Sequence, residues 1–302
     1  MPKAIVASSS RKYVRVLNND NQLLPGVLVS KDLSTVVGDQ VVYELQTEKE
    51  EVLVSEILER KNLLVRSAYN KTKELASNVD LLVVVCAPKP LFNKIFIDRV
   101  LTTASAQNIK VVLLVNKSDL DLTETQSEIE IYKRIGIEIL YSSSKKDQGL
   151  KEIENKLTDP AIKIACFLGL SGVGKSSIIN KLCPEQELRI DEVSVKSGQG
   201  KQTTTVAHAY KYKNLLLVDL PGIQNFGVMH LTLENIKRGF NEIFTSAQAC
   251  KYSNCSHKEE PECNVKNDIL SGNISSSRYE SYLELVNEHE QAGGRFRQSP
   301  KK

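Results

Sequence analysis

One glycine-rich segment near the middle of the chain constrains the fold more than any other feature. Its residues match the pattern G-x-x-x-x-G-K-[ST] in full and are Gly169, Leu170, Ser171, Gly172, Val173, Gly174, Lys175 and Ser176. The apolar run 162–168 precedes it, and a helix-like stretch follows from Ser177. In this context backbone N–H groups and a helix N-terminus converge on phosphate oxygens. The alternative is a glycine-rich turn that binds nothing, and the context disfavours it.

This loop predicts a nucleotide-binding α/β domain in which residues 169–177 contact the nucleotide. Lys175 is expected to reach the β- and γ-phosphates and to assist catalysis, and the Ser176 hydroxyl is expected to ligate Mg²⁺. Runs of apolar residues alternate with helix-length stretches elsewhere in this region, at 79–87, 111–115 and 137–141. Strands that are apolar on both faces indicate a parallel sheet covered by helices.

A second motif predicts which base the nucleotide carries. Asn116, Lys117, Ser118 and Asp119 follow the run 111–115 and match N-K-x-D. The Asp119 carboxylate can accept hydrogen bonds from guanine N1–H and the exocyclic amine, a donor pair that adenine lacks, so it would select GTP over ATP. Asn116 would brace neighbouring loops, and the Lys117 stem would lie along the base. Alone, the four residues fit a helix cap or turn as well, but beside a phosphate loop they predict a guanine site.

The serine-rich segment after the next apolar run adds to this prediction. Ser143, Ser144 and Lys145 follow 137–141 and are similar to the Ser-Ala-Lys segment of GTPases, whose backbone N–H contacts the guanine oxygen. A polar loop without a ligand is the alternative, and only the neighbouring motifs favour the nucleotide.

Two switch-like segments follow the phosphate loop. Asp219, Leu220, Pro221 and Gly222 match D-x-x-G, in which the Asp holds Mg²⁺ through water and the Gly N–H senses the γ-phosphate. Thr203, Thr204 and Thr205 precede it. The pattern leaves open which threonine is the second Mg²⁺ ligand, and Thr205 is taken as that ligand and as a catalytic candidate.

The group that positions the attacking water is not obvious from the motifs. The residue after Gly222 is Ile223, whereas many GTPases carry a glutamine there that orients water. Gln202, beside the threonines, is the candidate for this role. Slow intrinsic turnover that a partner accelerates is therefore expected.

The order of the motifs is unusual. A standard GTPase presents the phosphate loop, the threonine switch, D-x-x-G, N-K-x-D and then the serine segment. Here 116–119 and 143–145 precede the phosphate loop, and the two switches follow it. The set is circularly permuted, which close chain termini allow. As a consequence, D-x-x-G leads directly into the C-terminal region, which the nucleotide state could reposition.

A cluster of soft ligands lies in that C-terminal region. Cys250, Cys255, His257 and Cys263 have the spacing C-x₄-C-x-H-x₅-C, and three thiolates with one imidazole satisfy a closed, structural zinc site. A disulfide or free thiols are the alternatives. A disulfide leaves one thiol over and does not suit a cytoplasmic chain.

The flanking regions complete the predicted architecture. Residues 1–68 hold short β-rich runs at 13–16, 27–29, 41–43 and 52–54 between turn residues, which predicts a small barrel of the OB or SH3 type. The predicted domains are a barrel at 1–68, a GTPase domain at 69–228 and a helical zinc-binding domain at 229–302, whose last amphipathic helix spans 277–290. The net charge of +3 is too small to prove a nucleic-acid partner. No apolar run approaches the ~20 residues that span a bilayer, and no signal peptide begins the chain, so a cytoplasmic location without membrane association is expected.

Taken together, these motifs resemble the RsgA family, bacterial GTPases of small-ribosomal-subunit biogenesis. The resemblance implies an N-terminal OB-fold, a central permuted GTPase domain and a C-terminal zinc domain. It also implies binding to the 30S subunit and its 16S rRNA, and ribosome-stimulated hydrolysis of GTP to GDP and phosphate late in assembly. GTP or GDP, Mg²⁺ and one Zn²⁺ are the expected cofactors, and a monomer without a DNA partner is expected. Gln202 departs from the family, because many members carry a histidine there that is proposed to be catalytic.

A second function is compatible with the same residues. The GTP-bound protein would act as a placeholder or RNA-binding switch, and hydrolysis would only drive its release. The two functions differ in whether a hydrolysis-dead variant still promotes subunit maturation.

Overall fold

A computed structural model of the 302-residue chain describes residues 1–10, 12–46, 51–68, 71–184, 189–190, 207–221 and 226–291. Several predicted site residues lie outside the described part of the chain, namely Gln202, Thr203, Thr204, Thr205, Gly222 and Ile223.

The N-terminal region is a closed barrel, which confirms the predicted OB type. Its described strands are β1 (Lys3–Ser10), β2 (Tyr13–Asn18), β3 (Leu23–Leu28), β4 (Gln40–Gln46) and β5 (Glu51–Ile57), hydrogen-bonded in the order β1-β2-β3-β5-β4. Valine side chains at alternating positions of the strands fill much of the barrel interior. Strand β1 was not among the strands predicted from the sequence. A Cβ at Gly26 would lie 2.6 Å from the Val52 carbonyl oxygen, so only glycine allows the close parallel pairing of β3 with β5.

A hairpin of β6 (Leu63–Ala68) and β7 (Lys71–Ser77) follows the barrel. Asp39, a fully buried barrel residue, accepts hydrogen bonds from Arg60 Nε at 2.7 Å and from Ser77 Oγ at 2.6 Å. These charge-assisted contacts fix the barrel to the hairpin. The domain boundaries predicted at 68 and 228 stay predictions.

The central region is a sheet of seven described strands in the order β10-β9-β8-β11-β14-β13-β12. The strands are β8 (Leu81–Cys86), β9 (Lys110–Val115), β10 (Glu138–Tyr141), β11 (Ile164–Gly169), β12 (Arg189–Ile190), β13 (His208–Tyr212) and β14 (Leu215–Asp219). The first five in spatial order are parallel, as predicted, and β13 and β12 extend the sheet antiparallel. Both faces carry apolar clusters.

Helices cover this sheet and place the motifs at one edge. They are α1 (Lys94–Ala106), α2 (Thr123–Arg134), α3 (Leu150–Leu157) and α4 (Lys175–Leu182). The carboxyl ends of parallel strands meet at the same edge of a sheet, where ligands of α/β proteins bind. The ends of β9, β10, β11 and β14 lead there into the predicted base-reading, phosphate and switch segments.

The C-terminal region is helical and packs on α1. It contains α5 (Leu233–Gly239), α6 (Asn241–Ala247), α7 (Asn264–Leu270) and α8 (Ser276–Gln291) around an apolar cluster of its own. Arg278 of α8 donates from Nη1 to Asp98 of α1 at 2.6 Å. This ion pair is almost fully buried and joins the region to the GTPase sheet's helices. Among the described residues, no helix has the length and apolar content needed to cross a membrane.

Candidate nucleotide site and metal centre

The phosphate loop joins the end of β11 to the start of α4. Gly172 and Gly174 have φ values of 84° and 95°, a region that favours glycine. A Cβ at Gly174 would also lie 2.2 Å from Asn116 Nδ2, so the loop and the N-K-x-D segment touch at a point where no side chain fits. Lys175 Nζ lies 3.2 Å from the Gly169 carbonyl oxygen. Burial lowers the pKa of Lys175, and the nearby Asp219 carboxylate opposes that shift.

A cavity of about 390 Å³ lies in front of this loop. It lies between the phosphate loop, the end of β14 and the base-reading segments. The residues that line it are Lys117, Ser144, Ser171, Gly172, Gly174, Lys175, Ser176, Ser177, Asp219, Leu220 and Pro221. All eleven belong to the segments that the sequence predicts to hold the nucleotide and its Mg²⁺.

Asn116 joins three loops at the base of this cavity. Its Nδ2 donates to the Val173 carbonyl at 2.8 Å, and its Oδ1 accepts from Ser142 Oγ at 3.1 Å and from Ser144 N at 3.3 Å. Lys117 donates from Nζ to the Gly172 carbonyl at 2.7 Å. The side chain of Asn116 is fully buried, so these bonds replace its contacts with water and hold the loops in register.

The Asp119 carboxylate is oriented by its neighbours. Ser143 Oγ donates to Asp119 Oδ1 at 2.6 Å. That hydrogen bond, helped by the charges of Lys146 and Lys145, lowers the pKa of Asp119. An ionised carboxylate is an acceptor only, which is the form needed to read two guanine donors. Ser118 N donates to the Ser142 carbonyl at 2.9 Å, and the Lys145 side chain is exposed.

The structure also brings together the hydroxyl of Ser176 and the carboxylate of Asp219, which the sequence predicts to hold Mg²⁺ directly and through water, respectively. Ser176 Oγ donates to Asp219 Oδ2 at 3.0 Å, so a hydroxyl and a carboxylate from two different motifs face each other at the cavity wall. Mg²⁺ prefers such hard oxygen ligands and keeps several waters. Ser176 and Asp219 therefore fit an Mg²⁺ site. The roles of Thr205 and Gly222 stay predictions.

The cysteine cluster has the dimensions of a zinc site. The ligand atoms of Cys250, Cys255, His257 and Cys263 lie within 4.8 Å of one another. Cys250 Sγ is 3.9 Å from Cys263 Sγ and 3.6 Å from His257 Nδ1, and Cys263 Sγ is 3.5 Å from that nitrogen. A tetrahedron with Zn–S of about 2.3 Å and Zn–N of about 2.0 Å has edges of about 3.8 Å and about 3.5 Å. Cys250, His257 and Cys263 therefore match the edges of a zinc tetrahedron, and the Cys255 Sγ lies within 4.8 Å of their ligand atoms, so the cluster is compatible with Zn²⁺.

The surroundings of His257 support its role as a ligand. Burial lowers the pKa of His257, which favours the neutral imidazole that metals bind. Its backbone carbonyl accepts from Tyr279 Oη at 2.6 Å, so α8 holds the loop that carries the ligand. The Tyr282 ring packs against the imidazole with 6.3 Å between ring centroids.

A comparison with known proteins identifies the family of this chain. A family model described as RsgA GTPase matches residues 57–229, more than half of the sequence. The chain belongs to the RsgA GTPase family. It is accordingly a GTP hydrolase, and the resemblance drawn from its motifs is confirmed.

Curated relatives of this RsgA-family enzyme match over most of its length. The small ribosomal subunit biogenesis GTPase RsgA of Borrelia garinii subsp. bavariensis is 39% identical over 264 residues, which cover 85% of this chain and 84% of the relative. The protein of the same name from Burkholderia pseudomallei is 32% identical over 292 residues, with 95% and 92% coverage.

Solved structures confirm the fold of this RsgA-family enzyme. YjeQ from Thermotoga maritima has a TM-score of 0.75 at 30% identity and covers 96% of this chain and 98% of its own. YloQ, described as a circularly permuted GTPase, has a TM-score of 0.73 at 26% identity, with 100% and 97% coverage. The permuted architecture predicted from motif order is therefore confirmed.

One residue of the site was missed by the sequence-based prediction. Ser142 is fully buried and holds Asn116, yet the predicted segment began at Ser143. The available signal was the run of three serines directly after β10, but a sequence does not show which serine faces which loop.

Proposed function

We propose that this RsgA-family GTPase binds the 30S ribosomal subunit and its 16S rRNA and assists late subunit maturation, and that the subunit stimulates its hydrolysis of GTP to GDP and phosphate. The observation that carries the proposal is the convergence of all described GTPase motifs on one cavity. The chain also matches GTPases named for small-subunit biogenesis over 85% and 95% of its length. The relatives are named for small-subunit biogenesis, and the proposal extends that role to this chain.

The site residues divide the work of binding and hydrolysis. Asp119 reads the guanine donors, Asn116 and Lys117 hold the base-reading and phosphate loops together, and the phosphate loop with Lys175 binds the phosphates. Ser176 and Asp219 would hold Mg²⁺, which neutralises phosphate charge when bound. Backbone or side-chain-stem contacts with the nucleotide are assigned to Lys145, Ser118 and Leu170, because these residues belong to the matched motifs.

The attacking water requires a positioning group. Gln202 is proposed for that role, with Thr205 as the second Mg²⁺ ligand and Gly222 as the γ-phosphate sensor. Because an amide orients water without accepting its proton well, turnover without the ribosome is expected to be slow.

One structural Zn²⁺ held by Cys250, Cys255, His257 and Cys263 is proposed for the C-terminal region. Its four protein ligands leave no open position, so it would stabilise the fold without taking part in hydrolysis. The enzyme is proposed to act as a monomer in the cytoplasm.

The test is GTP turnover with and without purified 30S subunits at several salt concentrations. We expect stimulation by the subunit, and we expect it to weaken as salt rises, because contacts to rRNA phosphates release counterions. Lys175→Ala should abolish turnover in both conditions, whereas Lys151→Ala, an exposed change on α3, should behave like wild type. Equal turnover with and without subunits would refute the ribosomal part of the proposal.

A further inference from the structure

The side chains of the C-terminal metal cluster differ in their exposure to solvent. Cys255, His257 and Cys263 are buried, whereas Cys250 is half-buried. Cys250 lies just beyond the C-terminal end of α6, where its N donates to the Ala247 carbonyl at 3.1 Å. A dissolved oxidant therefore meets Cys250 before it can reach the two buried thiols of the cluster.

A second thiol is held beside Cys250 by the packing of two helices. Cys263 Sγ lies 3.9 Å from Cys250 Sγ, and Cys263 directly precedes α7. Helices α6 and α7 are joined by side chains, because Ser246 Oγ donates to Asp268 Oδ2 at 2.5 Å and accepts from Asn264 Nδ2 at 3.0 Å. The two thiols are therefore kept adjacent by contacts that do not involve a metal.

The other three cysteines of the chain lie in a different environment. Cys86, Cys166 and Cys183 are buried in the apolar clusters of the central sheet. Burial raises the pKa of the Cys183 thiol to about 11 and also raises the pKa values of Cys86 and Cys166. A buried, protonated thiol is a poor nucleophile, so these three reference cysteines provide an internal standard for the reactivity of Cys250.

We propose that Cys250 is a site of reversible oxidation by a two-electron oxidant such as a peroxide, with Cys263 as the partner that closes a disulfide. A metal-bound thiol is already deprotonated. The Cys250 thiolate attacks one oxygen of hydrogen peroxide and breaks the O–O bond, which gives a sulfenic acid and hydroxide. The Cys263 thiolate then attacks the Cys250 sulfur and expels a second hydroxide. Two thiolates and one peroxide thus yield one disulfide and two hydroxides, and two electrons pass from sulfur to the peroxide.

The disulfide would end metal binding by the cluster. This inference rests on the zinc site proposed above, whose closed geometry needs four ligands. Sulfurs joined in a disulfide are no longer thiolates, so only Cys255 and His257 would remain as ligands. Because a structural Zn²⁺ contributes to folding, its loss should loosen the loop 251–263, which α8 also holds through Tyr279 Oη and the His257 carbonyl at 2.6 Å. Reduction of the disulfide restores four ligands and makes the change reversible.

The test uses the zinc-loaded full chain, freed of reductant and treated with hydrogen peroxide. Released zinc is followed with a chromogenic chelator, disulfides are mapped by peptide mass spectrometry, and sulfenic acid is trapped with dimedone in a parallel reaction. Cys250→His keeps a zinc ligand but cannot form the disulfide, and Cys255→His is the matched variant that leaves the Cys250–Cys263 pair intact. Cys255→His should release zinc as wild type does, whereas Cys250→His should release it at least ~5-fold more slowly, because oxidation follows thiolate exposure.

The order of modification in wild type decides the proposal. The first dimedone adduct should form at Cys250, the disulfide should join Cys250 to Cys263, and a thiol reductant with added zinc should restore the original zinc content. A first adduct at Cys255 or at a reference cysteine, a different disulfide, or zinc release without a disulfide would overturn it. If Cys250→His binds no zinc before treatment, the wild-type adducts and disulfide map decide alone. Untreated wild type without zinc would refute the zinc site and the oxidation with it, whereas zinc-loaded wild type that resists peroxide would refute the oxidation only.

Discussion

Replacing Arg278 should loosen the joint between the C-terminal region and the GTPase domain. Arg278 donates to Asp98 at 2.6 Å and to Glu242 from Nε at 2.7 Å. The side chains of Arg278 and Asp98 are only 2% and 1% exposed. The guanidinium also lies over the Phe240 ring, 4.3 Å from its centroid. Arg278→Met keeps the aliphatic stem and its packing but leaves Asp98 without its cationic partner.

The expected loss can be worked from this geometry. Removing one partner of a buried ion pair costs about 3–5 kcal/mol, because the remaining charge stays desolvated. Tyr132 Oη still donates to Asp98 Oδ1 at 2.9 Å, so we expect the lower end, about 3 kcal/mol. Adding Asp98→Asn to Arg278→Met removes the stranded charge and should restore about 2 kcal/mol of it.

Native-state hydrogen exchange is the suitable assay, because a chain with several domains does not unfold in two states. Exchange of backbone amides reports the opening free energy of each element. A loss of about 3 kcal/mol should speed exchange in α8 by roughly 100-fold, with β8 and β9 much less affected. The reasoning is refuted if exchange in α8 is unchanged, or if the double variant exchanges as fast as Arg278→Met.

Three further predictions follow from the site and its surroundings. Cys263→Ser should lower the zinc content from one ion per chain toward zero and reduce the far-UV helical signal of the C-terminal region; full zinc content in this variant would contradict the ligand set. Gly174→Ala should weaken GDP binding by more than ~10-fold in fluorescence titration, because its Cβ would lie 2.2 Å from Asn116 Nδ2 at a φ of 95°; Gly136→Ala, whose Cβ would meet nothing within 4 Å, tests the strain of a positive φ without the clash. Burial lowers the pKa of His230 to about 4, below the ~6.5 of an exposed histidine. As pH drops, this histidine therefore takes up a proton in the unfolded chain before it does so in the folded chain. The free energy of unfolding should fall as pH drops from about 6.5 toward 4. His230→Gln should flatten that part of the stability profile, measured by native-state hydrogen exchange at each pH, and an unchanged slope would remove His230 as the cause.

Two kinds of feature were predictable from the sequence, and both are local. The phosphate loop and the cysteine cluster each need particular residue types at fixed spacing within one short segment, because one loop must wrap one ligand. Parallel strands were predictable because burial on both faces demands continuous apolar runs. The sequence does not predict strand β1, because its last three residues are serines, which carry little β signal.

The motifs alone determined the family, the permuted order and the ligand chemistry of this enzyme, since each depends on residue identity and spacing along the chain. Only the tertiary structure decided which of the three serines after β10 holds Asn116, which holds Asp119 and which faces the cavity. It also decided that Arg278 would meet Asp98, which lies 180 positions away. Such contacts depend on how separate elements pack, and no local sequence pattern specifies the distance between remote segments.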